Sequence, residues 1–258
     1  MTRIAKSRSI DMTKGPLCGK ILRFVLPLIA TNLLQMFYNA ADIMIVGLSD
    51  NPNAVGAVGS TSAFIHLITN VFIGVSTGAD IVVARYVGAR DSENTSRAVH
   101  TSVCMAVLFG LLGAVVGISV ASPVLGAMGA KEALLLYSTR YCYIYLGGLP
   151  LLALTNFLCA ILRAKGDTRT PLMVLSGAGI LNVLLNLFFV LVCGLSVEGV
   201  ALATVIANLV SVILLWTILS RDSGDCHLSF RRLRIFRKQL RSGKKRSIST
   251  PKQTKYRS

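Results

Sequence analysis

Six long apolar runs separated by short polar connections dominate the chain, near residues 24–48, 58–84, 98–122, 140–162, 171–195 and 198–219. A bilayer core of about 30 Å is crossed by roughly 20 helical residues, so each run is long enough to span it. A helix also satisfies its own backbone hydrogen bonds, which the hydrocarbon interior demands. Barrel strands would read as alternating segments of about ten residues, whereas these runs are continuous. The pattern predicts an all-α membrane protein with six transmembrane helices. It divides the chain into a basic N-terminal segment 1–23, a transmembrane lobe 24–219 and a basic tail 220–258, expected to be disordered.

The first run is not uniformly apolar. In NLLQMFYNAAD, Asn32, Gln35, Asn39 and Asp42 follow one another at steps of 3, 4 and 3. On a helix turning about 100° per residue they share an arc of roughly 80°. An ionised carboxylate within a span costs about 2.5–3.5 kcal/mol on insertion scales, so such residues usually face an interior cavity. Asn32, Gln35 and Asn39 are therefore expected to line a cavity around Asp42, an acid able to take up and release a proton. The alternative is that Asp42 pairs with a polar neighbour and only fixes helix packing. In the fifth run, GILNVLLNLFFV, Asn182 and Asn186 are four apart and share a face. They either line the same cavity or hold helices together by amide hydrogen bonds.

Other interruptions are weaker signals. Pro27 and Pro150, with apolar flanks, are expected to kink the first and fourth spans. GVSTG (Gly74, Gly78) and GAVVG (Gly113, Gly117) have the spacing that lets helix backbones approach closely. His66 is expected to be a packing residue rather than a proton relay. Asp80, near the end of its span, is expected to be solvated or paired with a cation, and Asn70 and Asn208 have no assigned role.

Composition agrees: 53% of the 258 residues are hydrophobic and 15% charged, against about 25% charged in soluble domains. The mean hydropathy is +0.65. A net charge of +16 would suggest nucleic acid, but its distribution argues otherwise. Of 27 Lys and Arg, all but Lys131 and Arg140 fall in the two termini or in the second-to-third and fourth-to-fifth connections. The positive-inside rule then places both termini in the cytoplasm of a multi-pass plasma-membrane protein. No nucleic-acid partner is needed, and the basic tail is suited to anionic membrane lipids. The six cysteines form no CxxC and have no His at metal spacing, so no metal centre is expected. No cleavable signal peptide is apparent, and no nucleophile–base pair or phosphate loop supports an enzyme.

Three stretches together, ADIMIVGLSDNPNAVGAVGSTS, VARYVGARD, and AILRAKGDTRTPL followed by NVLLNLFFV, resemble the multidrug and toxic compound extrusion (MATE) family. The likeness covers about residues 12–240, with motifs in the same order and spacing. It implies one six-helix lobe, the N-terminal one, of a twelve-helix secondary transporter. Such transporters export small organic, often cationic, compounds in exchange for protons or sodium ions and use no cofactor. The family's first-helix carboxylate falls on Asp42, making it a possible sodium site, and its kink-forming proline on Pro27. A fifth-helix Asn falls on Asn182, but the Asp that follows it in some members is Asn186 here. A single-carboxylate switch is then implied, rather than a two-carboxylate relay.

The likeness also implies that transport needs a second lobe, supplied by another chain or by self-association. Near Arg241 the sequence breaks from the family pattern, so 241–258 is a candidate for frameshifted or vestigial sequence in a truncated half. Two alternatives remain: a non-transporting membrane fragment or interaction protein, and a lipid-linked-precursor flippase of related architecture, which would favour a more cationic cavity.

Overall fold

The computed structural model describes residues 17–49, 53–127, 132–222, 224 and 226–228. Seven helices account for nearly all of them: α1 (Leu17–Val46), α2 (Ala54–Gly88), α3 (Ser92–Ala127), α4 (Glu132–Gly147), α5 (Leu149–Ala164), α6 (Arg169–Leu187) and α7 (Val197–Ser220). A five-residue π-helical turn, Phe188–Val192, continues α6. Five of the spans are long enough and apolar enough to cross a membrane, and α4 with α5 makes a sixth bent by 48°. The six predicted runs correspond one to one with these spans. Three of the five unbroken spans, α2, α3 and α7, extend past the predicted runs at both ends; α1 starts at Leu17, seven residues before its run, and ends at Val46, while α6 with its π-helical turn ends at Val192, short of the predicted 195.

The bend in the fourth span lies at Gly148, with Pro150 the second residue of α5. A proline lacks an N–H, and the first turn of a helix is where that loss costs least. Where a kink was expected at Pro150, one helix ends and another starts, with a 48° bend between them. α1 behaves differently and runs unbroken through Pro27. The α5–α6 turn uses Gly166 at φ +89°, a left-handed conformation that favours glycine. Asp167 then caps α6, its Oδ1 accepting from the Thr170 N–H at 3.0 Å and its Oδ2 from Thr170 Oγ at 2.6 Å.

α3 packs along α5. A Cβ on Gly110 would meet Pro150 Cα at 2.6 Å, one on Gly113 would meet the Phe72 ring at 2.7 Å, and one on Gly117 would meet Leu146 at 3.1 Å. Gly110 lets the α3 backbone approach that of α5, whereas the GAVVG glycines, Gly113 and Gly117, seat side chains of α2 and α4 rather than a neighbouring backbone. The GVSTG pair does not act this way: Gly74 and Gly78 are exposed and have nothing within 4 Å. That face of α2 points out of the bundle. Leu108, Leu111, Leu112, Val115 and Val116 of α3 are likewise exposed, an apolar surface suited to lipid.

The basic end of the bundle carries Arg85, Arg163 and Lys165. Asp80 is paired there with Arg163 at 3.5 Å, as its position suggested, and Lys165 donates to both oxygens of Asp222 at 2.5 and 2.6 Å. The segment after α7 departs from the expectation of a disordered tail at its first residues. Cys226 and Leu228 are buried against Leu158, Ile161, Leu215 and Leu219, and the Leu228 N–H donates to the Leu219 carbonyl at 3.2 Å. Two apolar side chains ahead of the basic run that starts at Arg231 supply the reason, since each gains by leaving water. The expectations for 1–16 and 229–258, with a frameshift at 241–258, concern residues outside the described ones.

Candidate functional site

The site forms where α1 crosses α6. The Tyr38 ring lies on Gly179 so closely that a Cβ at that position would come within 1.9 Å of it. The Tyr38 hydroxyl donates to the Ser176 carbonyl at 3.0 Å. Only a residue without a side chain permits this approach. Asp42 follows one turn beyond Tyr38 on the same face, so the seam carries its carboxylate against the end of α6.

There Asn186 Nδ2 donates to Asp42 Oδ1 at 2.5 Å. Asn182, turned so that both of its amide atoms are satisfied, donates to the same oxygen at 2.9 Å. Its own oxygen then accepts from Thr204 Oγ and the Thr204 N–H, each at 3.2 Å. α1, α6 and α7 thus meet at one carboxylate. Asn186 is completely buried, and its Oδ1 has no hydrogen-bond partner among the described residues. A buried acceptor without a donor is costly, about 1–3 kcal/mol, and this one belongs to the residue that holds the acid. The π-helical turn begins two residues later; such turns are frequent at functional sites.

A cavity of about 300 Å³ opens from this point, lined by residues of α1, α2, α4, α5, α6 and α7. The structure brings together Gln35, Asn39, Asp42 and Asn182 on its wall, with Asn186 directly behind. Asn32 is exposed on the same face of α1 but falls outside the cavity. It sits a turn before Gln35, toward the basic end, so a shared helix face did not guarantee a shared depth. His66, expected in packing, is exposed toward the cavity instead, and Asn70 and Asn208 line it as well. Tyr38, Thr204 and Asn156 were not singled out from the sequence. Tyr38 stands four residues before Asp42, a spacing that could have pointed to it. Among the described residues the lining contains no Lys or Arg, and Asp42 is its one acidic residue.

The model of the MatE family matches residues 27–188. The chain belongs to the MatE family. YoeA of Bacillus subtilis (strain 168), a probable multidrug resistance protein, is 29% identical over 204 residues, covering 77% of this MatE chain and 44% of that protein. YisQ of the same organism, an uncharacterized transporter, is 30% identical over 200 residues, covering 75% and 43%. The crystal structure of MATE in the bent conformation superposes with a TM-score of 0.81 at 25% identity, covering 89% of this chain and 51% of that one. The MatE chain therefore spans about half the length of the relatives it matches. The family's members are transporters of many membrane spans rather than enzymes.

Proposed function

We propose that this chain is one lobe of a secondary transporter that exports small organic, cationic compounds from the cytoplasm across the plasma membrane. Export is driven by protons or sodium ions entering through the site at Asp42. The observation that carries the reading is a carboxylate, held by two amide donors, on a cavity wall that has no Lys or Arg among the described residues. In such a setting the acid is free to be neutralised by a proton, by a sodium ion, or by the substrate's own charge. These occupants compete, and competition of this kind is what exchange requires.

The site's chemistry accommodates either coupling ion. Sodium is a hard cation that takes oxygen ligands, and Asp42, the unpartnered Asn186 Oδ1 and Thr204 Oγ offer three from three helices. A proton needs Asp42 alone. Neutralising Asp42 removes the charge that Asn182 and Asn186 hydrogen-bond, worth about 1.5–3 kcal/mol per bond to a charged group. It would therefore loosen α1 from α6 beyond the Tyr38 contact. Alternating access also needs a second lobe to move against, from another chain or from a second copy of this one. The reading of a lipid-linked-precursor flippase loses support from the absence of Lys and Arg in the lining.

Efflux of a fluorescent cationic dye from cells lacking other pumps tests the proposal, comparing this chain alone with the chain joined to a family-like second lobe. Dye export by the joined form is expected. Export by neither form, with both present in the membrane, counts against the reading.

A further inference from the structure

The cations at the basic end of the bundle are of two kinds. Arg97 pairs with Glu93, Arg163 with Asp80 and Lys165 with Asp222. Arg23, Arg85, Arg169 and Arg221 are exposed and meet no carboxylate among the described residues. At the opposite end Arg140 is paired with Glu198 at 3.2 Å, so the described unpaired arginines all lie at one end. The four stand on four helices and share a local pattern. One helical turn away from each, on the same face, is an exposed apolar side chain: Leu26 on α1, Ile81 on α2, Met173 on α6 and Ile218 on α7. Leu26 and Met173 follow their arginines, whereas Ile81 and Ile218 precede theirs. The helices run in opposite directions, and in all four cases the apolar residue lies on the side of the span's middle.

We infer that these four pairs are seats for anionic phospholipids, the phosphate resting on the guanidinium and an acyl chain lying along the apolar side chain below it. A lipid presents its groups in the same order, with charge at the surface and hydrocarbon beneath. An arginine stem can follow apolar surface while its head stays at the interface, and its planar fork matches two phosphate oxygens at once. A zwitterionic lipid brings an ammonium that repels the same guanidinium, so a lipid of net negative charge is favoured. Arg97, Arg163 and Lys165 already have their counter-charge within the protein and add little to such a seat. The inference needs the bundle to span a bilayer and is independent of what the cavity carries.

The test releases the full chain from bilayers equimolar in phosphatidylglycerol and phosphatidylcholine of the same acyl chains, and counts the retained lipids by native mass spectrometry. Phosphatidylglycerol is expected to exceed phosphatidylcholine by about fivefold, the ratio that one basic residue gives at an anionic surface. Arg85→Gln and Arg169→Gln should each reduce that excess, and Arg140→Gln should leave it as it was. Equal retention of the two lipids overturns the inference on the unsubstituted chain alone, whether or not the variants fold. An equal loss on Arg140→Gln would make the preference a matter of net charge and overturn its assignment to these arginines. Displacement of phosphatidylglycerol by glycerol phosphate in large excess would show a site for soluble anions and overturn the lipid as its occupant. None of these outcomes touches the transporter reading, which is decided by dye efflux.

Discussion

Gly179→Ala is the substitution most sharply constrained by the structure. An added Cβ would lie 1.9, 2.1 and 2.4 Å from three atoms of the Tyr38 ring, where carbon atoms settle at about 3.5–4.0 Å. The ring would have to move by about 1.5 Å or swing away, giving up its hydroxyl bond to Ser176. Overpacking of this kind costs about 1–3 kcal/mol, and the lost hydrogen bond adds about 0.5–1.5 kcal/mol. Ala in place of Gly within a helix gains about 1 kcal/mol, so a net loss of about 1–3 kcal/mol is expected. With Tyr38 first shortened to Ala, the obstacle is gone and only the helix gain remains. Gly179→Ala should then be neutral or stabilising by up to about 1 kcal/mol. A double-mutant cycle by denaturant titration in mixed micelles reads the coupling, expected at about 1–4 kcal/mol. Additive effects of the two substitutions would refute the ring-on-glycine seam.

Other sites give simpler expectations. Gly110→Ala, facing the Pro150 backbone at 2.6 Å, should destabilise the lobe by about 1–3 kcal/mol in the same titration. Gly74→Ala, with nothing near, should not lower stability. Leu228→Ala, at 1% exposure, should cost about 2–5 kcal/mol if the packing is as described. The sign to look for is faster proteolysis after Ser220, and an unchanged cleavage rate would argue against docking of that segment.

Much of the fold was readable because the bilayer imposes a length and a composition on every span. Apolar runs found all six, and Pro150 marked where the fourth would break. Asp42, Asn182 and Asn186 were readable as a group because polar residues in such runs are costly enough to require partners. Asn32 shows the limit of that logic: periodicity fixes a face but not how far along the helix a cavity reaches. Tyr38 on Gly179 was hidden for another reason. Neither residue is unusual in a membrane helix, and only the crossing of α1 with α6 makes one the seat of the other. Thr204, Asn156 and Asn208 depend in the same way on which helices become neighbours. Cys226 and Leu228 were overlooked because a dense basic composition outweighed two apolar side chains.

The central claim is that Asp42 couples ion movement to substrate movement, and one measurement meets it directly. Proteoliposomes holding the chain joined to a family-like second lobe would be loaded with a cationic dye and given an inward proton or sodium gradient. Asp42→Asn should abolish gradient-driven dye exchange while the protein still inserts and unfolds cooperatively. Exchange by Asp42→Asn at the unsubstituted rate, under the same gradient, would contradict the account.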